Sequence, residues 1–192
     1  MIHIPLYQFH ELSPKAQEKA LDWYRGVSQF EYDGVYEDFI NICKILGVTL
    51  KHRPGRHPCI WFSGFAFQGD GACFEGYYHY AKGSVAAIKA YAPLDTRLHQ
   101  IATDLAAAQR PYLYRLSTKI EHQGHYHHEY SMQFDGPDSL VEPLRDLARW
   151  LYRQLETEHD YQNSREAIAE VIEGYFTQEG VHIHVTEPQQ EG

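Results

Sequence analysis

The sequence predicts an α+β fold: an antiparallel sheet of four or more strands with helices packed on one face. Three observations carry this. Residues 59 to 134 hold several short runs in which apolar and polar side chains alternate with the two-residue period of a half-buried strand. Residues 138 to 158 place Leu140, Leu144, Leu147, Leu151 and Leu155 at helical spacing. The 192 residues contain no internal repeat and no low-complexity linker, so one domain over 1–192 is expected, with a loose tail from about 186 to 192.

The elements follow in order. Residues 3 to 9 suit a short strand. Ser13-Pro14 reads as an N-cap followed by proline at the first helical position. The helix after it gathers Ala16, Ala20, Trp23, Tyr24 and Val27 on one face. A second helix over about 35–46 gathers Val35, Phe39, Ile42, Cys43 and Leu46, with Gly47 where a C-cap belongs. "VTLKHR" reads as a strand and "RPGRHP" as a turn. Strands are expected at about 59–67 and 72–80, and a helix at 94–109 after "YAPLD". Two more strands, about 112–122 and 126–135, are joined by "HQGH". Ser164 caps a shorter helix with Ile168, Val171, Ile172 and Tyr175, and "GVHIHV" supplies a last strand.

Alternation assigns the faces. Phe74, Tyr78 and Tyr80 oppose Cys73, Glu75, Tyr77 and His79. Leu116 and Ile120 oppose Arg115, Lys119 and Glu121. Tyr130, Met132 and Phe134 oppose His127, Glu129 and Gln133. One sheet face is therefore apolar and covered by helices. The other is polar and reads either as a solvated surface laced with cross-strand ion pairs or as a working face.

Composition narrows the function classes. The formal charge is −9 with histidine neutral, which argues against general nucleic-acid binding. Cys43, Cys59 and Cys73 sit in apolar contexts without a CxxC motif, as reduced thiols of a cytoplasmic protein do. The start of the chain has no signal-peptide pattern, and no run approaches the length of a membrane span.

The stretch "IWFSGFAFQGDGACFEGYYHY", residues 60–80, holds the densest set of candidates. Its Gly69-Asp70-Gly71 core fails the dinucleotide and phosphate-loop patterns, since Phe74 stands where GxGxxG needs glycine. It suits a tight turn between strands. Read as a site, Gln68 and Asp70 meet polar edges of a ligand and Trp61 stacks on a base. Upstream, Arg53 and Arg56 in "KHRPGRH" form a local basic cluster suited to phosphate. Ser63, Glu75, Tyr77, Lys119 and His127 complete the candidate surface. The 13 histidines include the pairs His125/His127 and His182/His184, but HExxH and Cys/His ligand spacings are absent, so no metal and no cofactor is expected. Asp70 and Glu75 are the one carboxylate pair with acid–base potential, at a separation the spacing leaves open. No credible nucleophile accompanies them, and the reading leans away from an enzyme.

"FHELSPKAQEKALDWYR", "SGFAFQGDGACFEG", "YAPLD…LHQIA", "RWLYRQLETEHDYQNSREAIAEVIE" and "YFTQEG" resemble bacteriophage and prophage proteins commonly labelled "antitoxin of toxin–antitoxin stability system". The likeness covers nearly the whole chain and departs at Ala66-Phe67, where the familiar version has Trp-Ser. It implies a phage setting and a role against host defence. The expected function is sequestration of a small anionic ligand, a nucleotide signal, without cleavage. An antitoxin-like protein that neutralises a host or toxin protein partner, and a hydrolase using Asp70 and Glu75, are the alternatives. A homo-oligomer is compatible with all three.

Overall fold

The structure is a computed structural model that describes residues 5–54 and 58–184. In chain order its helices are α1 (Pro14–Val27), α2 (Asp33–Leu46), α3 (Ser84–Tyr91), α4 (Thr96–Gln109), α5 (Val141–Gln162) and α6 (Arg165–Val171). Its strands are β1 (Val48–Leu50), β2 (Ile60–Phe62), β3 (Ala72–Phe74), β4 (Gly76–His79), β5 (Ser117–His122), β6 (Met132–Asp135), β7 (Tyr175–Phe176) and β8 (His182–Ile183). The chain divides into two compact units, one from residues 1–31 and 157–192, the other from 32–156.

In the first unit the expected caps are present. Ser13 Oγ accepts from Ala16 N–H at 3.4 Å, with Pro14 opening α1. Ser164 Oγ accepts from Ala167 N–H at 3.2 Å at the start of α6. Each satisfies one of the orphan donors of a helix start. A small core of Phe9, Leu12, Ala16, Ala20, Leu21, Ile168 and Phe176 closes between these elements. Of the strand expected over residues 3 to 9, Tyr7 forms an isolated antiparallel bridge with Phe176 and Phe9 already opens a 3-10 turn (Phe9–Glu11); the start of that expected strand lies outside the described residues, as does the tail. His182, on β8, stacks flat on Trp23 at 3.8 Å rather than pairing with His184.

The second unit holds the antiparallel sheet, in the order β1-β4-β5-β6. Register puts Thr49, Tyr77, Lys119 and Asp135 in one cross-strand row, and Leu50, Gly76, Ile120 and Phe134 in the next. The second row belongs to the apolar face. Val48, Leu50, Tyr78, Ile120 and Met132 from the sheet join Phe39, Ile42 and Leu46 of α2, Leu98 and Ile101 of α4, and Leu144, Leu147, Leu151 and Leu155 of α5 in one core. Each such leucine contributes about 1.5–3 kcal/mol by leaving water. Gly47 ends α2 in the left-handed region, at φ 90°, and a Cβ there would come within 2.1 Å of His79 O. Only glycine serves this αL cap and lets β1 turn directly in beside β4.

The expectation of one strand over 72–80 needs correction. Residues 72–74 pair with β2 in a separate two-stranded ribbon, and 76–79 enter the main sheet. Glu75 is the switch: its N–H donates to Cys59 O and its carbonyl accepts from Lys51 N–H, both at 2.9 Å. Gly69-Asp70-Gly71 falls within the connection between β2 and β3, a strand–strand connection as expected. The stretch 126–131 is not strand; a 3-10 turn at Glu129–Ser131 precedes β6. Helix α3 had no counterpart in the sequence reading.

Candidate functional site

The site is built where the β2–β3 ribbon meets the end of β5. Trp61 and Cys73 are directly opposed in the ribbon, so their side chains share a face. His122 ends β5 at the same parity as Ile120 and Thr118, opposite buried Met132. It therefore points with the core-facing row rather than the polar one. His127 comes from the following loop, held by two contacts. Ser63 Oγ donates to its carbonyl at 3.3 Å, and its ring lies parallel to Trp61, 12° between planes with centroids 6.0 Å apart.

These placements bring Cys73, His122 and His127 together. One potential ligand atom from each lies within 4.8 Å of the others. Cys73 is fully buried. Burial pushes its thiol up to about 12, eased by a hydrogen bond with Ser131 and reinforced by the Glu75 charge. Desolvation, then the neighbouring His122, pulls His127 below the usual imidazole value, so its ring is neutral near pH 7. His127 Nδ1 is buried with no hydrogen-bond partner. His122 Nε2 lies 2.9 Å from Tyr126 O, a carbonyl that can only accept, so Nε2 is the donor of this contact.

Charged groups border this cluster. Glu75 is only 5% exposed. Its Oε2 lies 2.7 Å from Lys51 Nζ, and its Oε1 accepts from His122 N–H at 3.3 Å. Burial alone would raise this carboxyl, but Lys51, the His122 N–H and the charge of Arg53 outweigh it and hold it below the ordinary value. The Arg53 guanidinium stands 5.5 Å from the Trp61 ring centroid. It is exposed and has no carboxylate partner among the described residues.

The remaining candidates divide. Asp70 Oδ2 accepts from Ala66 N–H at 2.9 Å and Phe67 N–H at 2.8 Å, so it ties its own turn. Phe67 N–H, opposed by partial desolvation and aided by Ala66 and Ser63, holds the Asp70 carboxyl below its usual range. Asp70 and Glu75 thus have separate sets of partners. Ser63 accepts from Gly71 N–H at 3.1 Å, and its backbone N–H donates to Gly71 O. Gln68 is exposed on the same connection. Tyr77 and Lys119 lie on the polar sheet face, where Lys119 pairs with Glu121 at 2.7 Å. His127 is not on that face, because the strand assigned to it does not form there. Arg56 lies outside the described residues.

Sequence reasoning missed Cys73 and His122 as partners of His127. One signal was available: His122 is a polar residue at the core-facing parity of β5, with His127 five residues on. Cys73 is 49 residues from the nearer histidine, and only the fold brings it in.

A wider cleft of about 600 Å³ runs past Asp70, Arg97, His128, Glu129, Arg149 and Tyr152. Its charges answer one another: Arg149 pairs with Glu129 and Asp146 at 2.8 Å, and Arg97 also pairs with Asp146. The cleft and the cluster meet at His127-His128. Gly71 makes that close approach possible, since a Cβ there would lie 2.7 Å from His128 Cδ2.

Residues 32–165 match the model of a domain of unknown function, DUF8835. The chain belongs to the DUF8835 family. That match spans the sheet, its helices and every residue of the cluster. No curated protein and no solved structure matches the chain. Among the described residues of this DUF8835 protein, no helix is long and apolar enough to cross a membrane.

Proposed function

We propose that the protein binds a small anionic ligand bearing a planar ring, of the nucleotide class, and holds it without cleaving it. The observation that carries this is Arg53 standing over Trp61 beside Lys51. A guanidinium with no carboxylate partner among the described residues is available for a phosphate oxygen, while an aromatic ring offers a stacking surface. Lys51 and Arg53 against Glu75 leave this corner locally positive on a chain of formal charge −9. The separate partners of Asp70 and Glu75 favour binding over hydrolysis. Together with the resemblance to phage proteins, capture of a nucleotide signal that serves host defence is the role we assign.

The reading is tested by thermal shift against linear and cyclic nucleotides. A ligand at a hundred times its Kd stabilises by about 2.7 kcal/mol. For a chain of this size that raises Tm by roughly 5–10 °C. Arg53→Ala and Trp61→Leu should each remove most of the shift, and salt should weaken it because the phosphate attraction is screened over about 10 Å at 0.1 M. If no nucleotide shifts Tm, or if both variants respond like the wild type, the site is not here.

A further inference from the structure

We propose that Cys73, His122 and His127 form a three-ligand site for a borderline-soft divalent transition-metal ion of the zinc class, with a fourth position open to water or to a ligand atom. One thiol and two imidazoles select such an ion over magnesium or calcium, which take oxygen ligands. Zinc–nitrogen and zinc–sulfur bonds of about 2.0–2.3 Å put tetrahedral donors roughly 3.3–3.7 Å apart. The three donors already lie within 4.8 Å of one another, close to that spacing.

The surroundings are those of a supported ligand set. The contact of His122 Nε2 with Tyr126 O at 2.9 Å orients one ring, and a second-layer acceptor of this kind raises the basicity of the ligating nitrogen. Trp61 stacks on the other ring and sits opposite Cys73. The unpartnered Nδ1 of His127 is a buried polar atom that a ligand bond would satisfy. Ser63 fixes the loop that carries it. The bound ion would displace the Cys73 thiol proton, which leaves to solvent, and a thiolate–metal bond would form in its place.

The site adds a centre of positive charge beside Trp61 and Arg53, but it does not depend on the ligand reading. Its test is run without nucleotide, so either can fail alone. Purified full-length protein is stripped with chelator, then titrated with Zn²⁺ and, separately, with Co²⁺. One equivalent per chain is expected. The cobalt form should show visible bands of tetrahedral Co²⁺ and a near-ultraviolet sulfur-to-cobalt charge-transfer band. Cys73→Ser should abolish the charge-transfer band, and His127→Gln should weaken zinc binding by more than the about 10–100-fold typical of losing a second-layer partner. His127 is only partly buried, so its variant remains informative if the Cys73 change unfolds the chain. His125→Gln, an exposed histidine in the same loop, should bind as the wild type does. Absence of stoichiometric binding, a charge-transfer band that survives Cys73→Ser, or equal losses in the His125 and His127 variants would overturn the proposal.

Discussion

At the scale of single residues, the side chains that looked most functional divide into those that hold a loop and those that face the site. Asp70 belongs to the first group. Its carboxylate accepts two backbone N–H bonds within its own turn, and its pKa is lowered for that reason. A carboxyl whose folded pKa is depressed stabilises the fold above the unfolded value of about 3.9 and loses that contribution as pH falls through the folded value. Asp70→Ala should therefore melt below the wild type at neutral pH, and the gap should close below about pH 4. Parallel melting curves from pH 7 down to pH 2.5 check this; a gap that stays constant to the lowest pH would show that the carboxylate charge does nothing for the turn. Glu75 is different again. Read from sequence as part of an exposed face, it is buried on Lys51 and the His122 N–H, because it sits at the switch between ribbon and sheet.

At the scale of elements, much of the architecture was legible and its failures have a common cause. The Ser13-Pro14 start, the Gly47 stop and the leucine stripe of α5 depend on local sequence alone, and each appears as expected. Alternation placed Tyr77 and Lys119 against Tyr78, Ile120 and Met132 correctly for the same reason, but Cys73, Glu75 and Glu129, assigned to the polar face, are buried and Tyr130, assigned to the apolar one, is exposed. Alternation is blind to pairing partners, however. It could not show that 72–74 pair with β2 and 76–79 with β1. It also read 126–131 as strand, although the chain there forms a 3-10 turn at Glu129–Ser131 in which Glu129 is buried and paired with Arg149 at 2.8 Å. His127, outside the strand, lies off the sheet face and in the cluster with Cys73. Asp95 links two elements in a comparable way: Oδ1 caps α4 through Leu98 N–H at 2.9 Å, while Oδ2 accepts from Trp150 Nε1 of α5 at 2.7 Å. Asp95→Ala removes a cap and strands a mostly buried donor, a loss of about 2–4 kcal/mol. Asp95→Asn, which keeps one acceptor, should fall between. Urea unfolding measures both; an alanine variant within about 0.5 kcal/mol of wild type would show that Asp95 joins nothing.

At the scale of the whole molecule, the DUF8835 match begins at Tyr32, where the larger compact unit begins, and runs past Glu156 to Arg165. Lys51, Arg53, Trp61, Cys73, Glu75, His122 and His127 all fall inside it. The formal charge of −9 favours solubility and repels polyanions at long range, so an anionic ligand is held by a local device rather than by the field of the protein. The most direct measurement is to incubate the protein with the nucleotide that raises its Tm most, remove free ligand by gel filtration, denature the complex and identify what is released. Intact nucleotide near one per chain, with Arg53→Ala and Trp61→Leu returning little, is the expected result. Release of a cleaved product, or of nothing while a protein partner co-purifies from lysate, would contradict it.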